Sequence, residues 1–186
     1  MHEEIIFAGF GGQGVLFVGQ LLAYTALEEG KHVTWIPSYG PEMRGGTANC
    51  TVVVSDEPIG SPVCLHPSIA VVFNNPSLEK YEPLVKVSGL LIVNQSLIVT
   101  APQRTDLTVV LIPATEVAAE MGQVRIANMI LLGALLAQRP LVQPQTVRAV
   151  LEDKLGARKA HLHEINMAAL ERGAALAQGQ VQTVKG

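Results

Sequence analysis

Ile5-Ile6-Phe7-Ala8-Gly9-Phe10-Gly11-Gly12-Gln13-Gly14-Val15 decides how this chain begins to fold. A short apolar run, residues 5–8, enters a glycine turn of G-x-G-x-x-G spacing and leaves it into a helix-like stretch. Glycines so spaced let a strand reverse sharply into a helix, let backbone N–H groups approach a phosphate, and let helix and strand pack closely. Gly9, Gly11, Gly12, Gln13 and Gly14 are therefore the first candidate binding residues, with a phosphate or a partner's backbone as the guest.

A dinucleotide site built on such a turn calls for a carboxylate at the end of the second strand. That strand, residues 32–36, runs out into Pro37-Ser38-Tyr39-Gly40 without an acid. Glu28 and Glu29 close the first helix before Gly30, at the opposite end of a βαβ unit. The turn thus speaks strongly for a fold and weakly for a nicotinamide cofactor.

Working outward, residues 12–29 read as a helix with Val15, Leu16, Gly19, Leu22, Ala23 and Ala26 on its inner face, completing a right-handed βαβ unit. Residues 47–55, 69–73, 90–93 and 108–112 read as strands, with Asn75-Pro76 starting a helix that runs to about residue 86. Helical periodicity fills residues 115–121, 124–139, 145–155 and 159–177, punctuated by Pro140, Pro144 and Gly156. The expectation is one α/β domain over residues 1–178, a Rossmann-like three-layer fold around a mostly parallel sheet with added C-terminal helices, and a frayed tail over 179–186.

Composition narrows the function. With 48% hydrophobic and 16% charged residues, the 186-residue chain can bury one good core and has apolar surface to spare for another chain. A net charge of −3 and scattered cations leave no basic stripe, which excludes nucleic acid as a partner. The acidic start Met1-His2-Glu3-Glu4 is unlike a secretory signal, and residues 126–137, interrupted by Asn128 and Gly133, fall short of the roughly 20 residues a membrane span needs. The chain is expected in the cytoplasm. Cys50 and Cys64, far from C-x-x-C spacing, read as structural thiols that form neither an iron–sulfur nor a zinc site. His161 and His163 lie roughly 200° apart on a helix and cannot share a metal. Asp56-Glu57-Pro58 reads as a solvated turn. Phe10, Trp35 and Tyr39 read either as an apolar patch near the glycine turn or as local core. No residue is assigned to catalysis or to a metal.

A second constellation, Ser38-Tyr39-Gly40-Pro41-Glu42-Met43-Arg44-Gly45-Gly46-Thr47-Ala48-Asn49, leaves the sheet edge that carries the glycine turn, so the two segments should adjoin as one composite site. Arg44, flanked by Gly45 and Gly46, offers a planar charged fork beside freed backbone N–H groups, suited to a carboxylate or phosphate. Two readings stand: Glu42 orients Arg44 toward a ligand, or the two pair and dock on a neighbouring subunit. Ser38, Tyr39, Glu42, Met43, Arg44, Gly45, Gly46, Thr47 and Asn49 join the candidate site.

These two segments, followed by Ser55-Asp56-Glu57-Pro58-Ile59-Gly60-Ser61-Pro62 and continued by Asn128, Gly133-Ala134-Leu135 and Asn166, resemble the gamma subunit of 2-oxoacid:ferredoxin oxidoreductases, most of all the 2-oxoglutarate and branched-chain ketoacid types. The resemblance covers nearly the whole chain. It implies a multi-subunit enzyme that oxidatively decarboxylates a 2-oxoacid to an acyl-coenzyme A and passes electrons through iron–sulfur clusters to ferredoxin, with thiamine diphosphate supplying the carbanion chemistry. It implies alpha, beta and ferredoxin-like delta subunits as partners. This chain shows no cluster-forming cysteine set and no thiamine motif, so it is expected to bind no cofactor alone, to be inactive in isolation, to contribute to a coenzyme A site through the glycine turn and Arg44, and to dimerise when separated from its partners. Two other classes remain to be separated from this one: a stand-alone nucleotide- or anion-binding module, and a NAD-dependent dehydrogenase.

Overall fold

The elements follow in the order β1 (His2–Phe10), α1 (Val15–Glu28), β2 (His32–Tyr39), β3 (Thr47–Ser55), β4 (Ile69–Val72), α2 (Asn75–Tyr81), β5 (Leu90–Asn94), β6 (Thr108–Ile112), α3 (Ala114–Glu120), α4 (Ala127–Gln138), α5 (Pro144–Leu155), α6 (Ala160–Gln178) and β7 (Gln182–Thr183). The computed structural model describes residues 1–39, 46–155, 160–179 and 182–183. Among these the strands form one sheet in the order β2-β3-β1-β4-β5-β6-β7. β4, β5 and β6 extend in parallel from β1, whereas β3 runs antiparallel to both β1 and β2 and β7 antiparallel to β6. The sheet is thus mostly parallel by strand direction.

The βαβ expectation needs one correction. β1 and β2 point the same way but are not neighbours, because β3 doubles back between them, in register from His2↔Ser55 to Phe10↔Thr47 on one side and from His32↔Ser55 to Tyr39↔Ala48 on the other. Pairing along its full length draws the polar His2, Glu3 and Glu4 into β1, which is why the strand outruns its apolar run. α1 begins at Val15 rather than at residue 12 because Gly12 and Gly14 have φ of 99° and 76°, values a right-handed helix cannot contain. At α2 the cap is Asn74, whose Oδ1 accepts the Ser77 N–H at 3.0 Å, one residue earlier than expected. That helix stops at Tyr81, and Glu82–Leu84 continue as a 3-10 turn holding Pro83, which has no N–H to extend the ladder. Val124–Ile126 likewise form a 3-10 turn, so α4 starts at Ala127, and Pro144 serves as a first-turn residue of α5. Gln182–Thr183 pair with Thr108 and Val109, so a short strand lies within the stretch expected to fray.

Alternation along the strands sorts side chains between two layers. Ile5 and Phe7 of β1, with Val52, Val71 and Ile92, face a core shared with α1 and α3 to α6. Ile6 and Ala8, with Ala70, Val72, Leu91 and Val93, face a smaller core closed by Leu78 and Tyr81 of α2. This is the expected three-layer arrangement, with both faces covered and the strand C-termini left open along one edge.

Close approach of α1 to β3 fixes that edge. Gly19 lies against the fully buried Cys50, and a Cβ at Gly19 would overlap the Cys50 Sγ. Gly19→Ala is expected to cost about 2 kcal/mol by overpacking, and Cys50→Ala in the same chain to recover most of it by removing the struck atom. Urea midpoints of the single and double variants measure this, and a double variant no better than Gly19→Ala would show that the helix, not the sulfur, had to move.

Candidate functional site

At the C-terminal edge of the sheet the glycine turn meets the start of β3. The Gly11 N–H donates to the Gly46 carbonyl at 2.9 Å, which ties the first candidate segment directly to the second, as expected. Between them lies a cleft of about 470 Å³, lined by residues 10–12 and 14 of the turn, residues 15–17 of α1, and Gly46, Thr47 and Ala48. Phe10, Leu16, Phe17 and Ala48 supply an apolar wall, and the turn and the helix start supply backbone.

The helix start gives the cleft its polarity. Gly14 is the N-cap of α1 and offers no side chain to it, and no acidic residue occupies the first turn. The amides of residues 15–17 therefore lack an intrahelical acceptor and, among the described residues, a side-chain cap, while the 14-residue helix adds its positive end. Residues 15–17 also line the cleft, so these donors are placed for an anion. Gly12 reinforces this, since among the described residues nothing lies within 4 Å of where its Cβ would be.

Not every candidate serves the cleft in the same way. Gly11, Gly12, Gly14, Gly46 and Thr47 line it. Gly9 stands behind it as a packing glycine: a Cβ there would come within 2.6 Å of Gln13 Oε1, 2.8 Å of Phe73 Cβ and 2.9 Å of Val15 Cγ2. Gln13 folds back, its Oε1 accepting the Phe10 N–H at 2.6 Å and the Asn74 Nδ2–H at 3.3 Å, which braces the turn against the cap of α2. Asn49 sits in β3 between Ala8 and Ser38, and Tyr39 ends β2 opposite Ala48. Of these strand residues, Ser38 and Asn49 are near the cleft without lining it. Glu42, Met43, Arg44 and Gly45 lie outside the described residues. Trp35 belongs elsewhere: it pairs with Val52 in mid-strand and, with Tyr24, Leu27 and Val33, borders a separate groove of about 200 Å³ beside α1. The patch reading therefore fails for Trp35, which stands apart from Phe10 and packs against the main core, the other of the two readings.

Residues 15–17 and the amide side chains behind the turn were not in the sequence-derived set. The first follow from the absence of any capping side chain at Gly14, a signal present in the sequence. The second, Asn74 and Asn128, reach the turn from distant positions and carry no local signal.

Other chemistry is sparse. Burial pushes the Cys50 thiol up from an ordinary 9.0 to about 12, and burial, aided by the charge of Glu4, pushes Cys64 to about 11. Both stay protonated near neutrality, so neither is a ready nucleophile or thiolate ligand. Among the described residues no three His, Cys, Asp or Glu side chains converge as a metal site would need, and no helix is long and apolar enough to cross a membrane.

Residues 4–176 match the family model described as pyruvate ferredoxin/flavodoxin oxidoreductase. The chain is 44% identical over 132 residues to the ketoisovalerate oxidoreductase subunit VorA of Methanothermobacter marburgensis, a match covering 70% of this chain and 27% of that one. It thus spans about a quarter of that relative's length. It is 35% identical over 158 residues to the 2-oxoglutarate synthase subunit KorC of Methanocaldococcus jannaschii, covering 83% of this chain and 84% of that one. Its fold is that of the keto/oxoacid ferredoxin oxidoreductase gamma subunit of Geobacter sulfurreducens, with a TM-score of 0.85 over 98% of this chain and 99% of that one at 24% identity.

Proposed function

Because the chain belongs to the pyruvate ferredoxin/flavodoxin oxidoreductase family, we propose that it works as a gamma subunit of a multi-subunit 2-oxoacid:ferredoxin oxidoreductase. Its task there is to buttress the assembly and to contribute anion-binding backbone to the coenzyme A site. The observation that carries this reading is the uncapped start of α1 opening into the cleft beside Gly12 and Gly46. A phosphate group of coenzyme A is the ligand chemistry that such unpaired amides and a helix N-terminus stabilise. The apolar wall of Phe10, Leu16 and Phe17 suits the remainder of an amphipathic nucleotide. Arg44, Glu42, Met43, Tyr39 and Gly45 complete the site in this proposal, with Arg44 giving a second, side-chain contact to phosphate.

The chain's donor set does not fit an iron–sulfur cluster: two cysteines, one fully buried and both protonated, are too few for four thiolates. Clusters and thiamine diphosphate accordingly belong to alpha, beta and ferredoxin-like delta chains. There a 2-oxoacid, either 2-oxoglutarate or a branched-chain ketoacid, loses carbon dioxide, its acyl group is passed to coenzyme A, and the electrons leave to ferredoxin. The same assignment places the chain in the cytoplasm.

The geometry weighs against a nicotinamide enzyme. β3 separates β2 from β1, moving the position from which a ribose-binding carboxylate would act one strand spacing, about 4.8 Å, further from the turn. β2 itself, His32–Tyr39, ends without an acid.

Recovery of the chain from its native cells tests the assignment. It is expected to elute with thiamine- and cluster-bearing chains, and in that complex Arg44→Ala should raise the apparent KM for coenzyme A by about tenfold. Elution alone together with NADH binding would overturn the assignment, and an unchanged KM would remove Arg44 from the site.

A further inference from the structure

Gly14 shapes the anion-facing end of α1, and what holds Gly14 lies 114 residues away. Asn128, buried in the first turn of α4 at 5% exposure, donates from Nδ2 to the Gly14 carbonyl at 3.2 Å. Its Oδ1 accepts the Met129 N–H at 2.9 Å, so the amide is anchored at both ends and cannot rotate freely. The same Gly14 carbonyl accepts the Val18 N–H at 3.0 Å. Two donors from different directions therefore fix where this carbonyl points.

A trans peptide is planar, so aiming the Gly14 C=O also aims the Val15 N–H the opposite way. The carbonyl points along α1 toward Val18 and the N–H consequently points back out of the helix start, where Val15 borders the cleft. The Asn128 side chain moreover fills the space a Cβ at Gly14 would need, which bars any residue but glycine from the position. The geometry points to Asn128 as a positioning residue of the anion site: it touches no ligand and acts by locking the Gly14–Val15 peptide so that the first free amide of α1 is presented to the cleft. This inference rests on reading the cleft as the coenzyme A site and adds a residue of α4 to it. Preset donors avoid the cost of ordering them when the anion arrives, which is how such a residue would raise affinity.

The test is made on the assembled complex with coenzyme A as the probe, read as its apparent KM, and hydrogen exchange is read on the same complex. Asn128→Ala is expected to weaken coenzyme A by about tenfold and to speed hydrogen exchange of the Val18 amide, which shares the Gly14 carbonyl. Asn94→Ala is the matched control. Asn94 is equally buried at the same sheet edge, and its Nδ2 donates to the Phe73 carbonyl and to Thr115 Oγ1 rather than to the turn. Its loss should leave coenzyme A affinity within about twofold. Should Asn128→Ala fail to fold, Asn128→Ser, which fills more of the space, is measured in the same two ways. Equal affinity in wild type and variant, or an equal loss in Asn94→Ala, overturns the positioning role. If the wild-type complex binds no coenzyme A, the coenzyme A reading falls, and Val18 exchange then decides alone: faster exchange keeps Asn128 as the lock of the turn, and unchanged exchange removes it.

Discussion

Gly133→Ala is expected to lose about 3 kcal/mol of stability, and Gly173→Ala a similar amount, although alanine in a helix ordinarily gains about 1 kcal/mol over glycine. The reason is the contact between α4 and α6. A Cβ at Gly133 would overlap the carbonyl oxygen of Leu170, and a Cβ at Gly173 would overlap that of Ile130. Each glycine is thus set against the carbonyl three residues before the other, and Gln138 Nε2 bonds the Ala177 carbonyl further along both helices. That pattern means the helices run in the same direction with their backbones touching. The struck atoms are backbone oxygens of fully or nearly fully buried residues, Ile130 at 0% and Leu170 at 2% exposure, so no flexible side chain can yield. The only relief is separation of the helices, which opens voids along an α4 whose residues 127–136 are all buried. One separation serves both substitutions, so the double variant should lose clearly less than the sum of the singles. Denaturant unfolding of the three variants measures this, and a Gly133→Ala chain as stable as wild type would show that the helices part without cost.

That contact also marks where sequence reasoning stops. The apolar run through α4 is plain in the sequence, and Gly133 stands out within it, but nothing near Gly173 indicates that it faces Gly133 from a separate helix. Periodicity reports which face of an element is buried and not what it is buried against. The sheet shows the same division. Residues 47–55 announce a strand by their β-branched composition, yet β3's place between β1 and β2 follows from a seven-residue hairpin connection, 40–46, too long to carry the signature of a tight two-residue turn. At α2, Asn74-Asn75-Pro76 offers two capping residues in a row, and only the bond from Asn74 Oδ1 to Ser77 decides between them. For the site, the turn and its adjacency to the second segment were legible because glycine spacing and strand polarity fix both. Gln13 was not legible as a brace, because a glutamine in a glycine turn reads equally well as a ligand donor. Asn128 was visible only through the family resemblance, and its role depends on a fold that brings α4 to the turn.

Gly14→Ala should be the most damaging single-methyl change at the site, about 3 kcal/mol, because two independent costs meet there. The backbone φ of 76° is left-handed, which disfavours any residue with a Cβ by about 1–2 kcal/mol. The added Cβ would in addition overlap Asn128 Nδ2, whose amide is held by the Met129 N–H and cannot swing aside without losing that bond. Gly12 separates the two contributions, since its φ of 99° carries the conformational cost while no described atom lies within 4 Å of where its Cβ would be. Gly12→Ala should accordingly lose only about 1–2 kcal/mol. Combining Gly14→Ala with Asn128→Ala removes the collision and leaves the backbone cost, so that pair should be less destabilised than the sum of its members. Urea unfolding resolves all four chains. If Gly14→Ala proves no worse than Gly12→Ala, Asn128 does not fill the space behind the turn, and the left-handed backbone alone accounts for glycine at position 14.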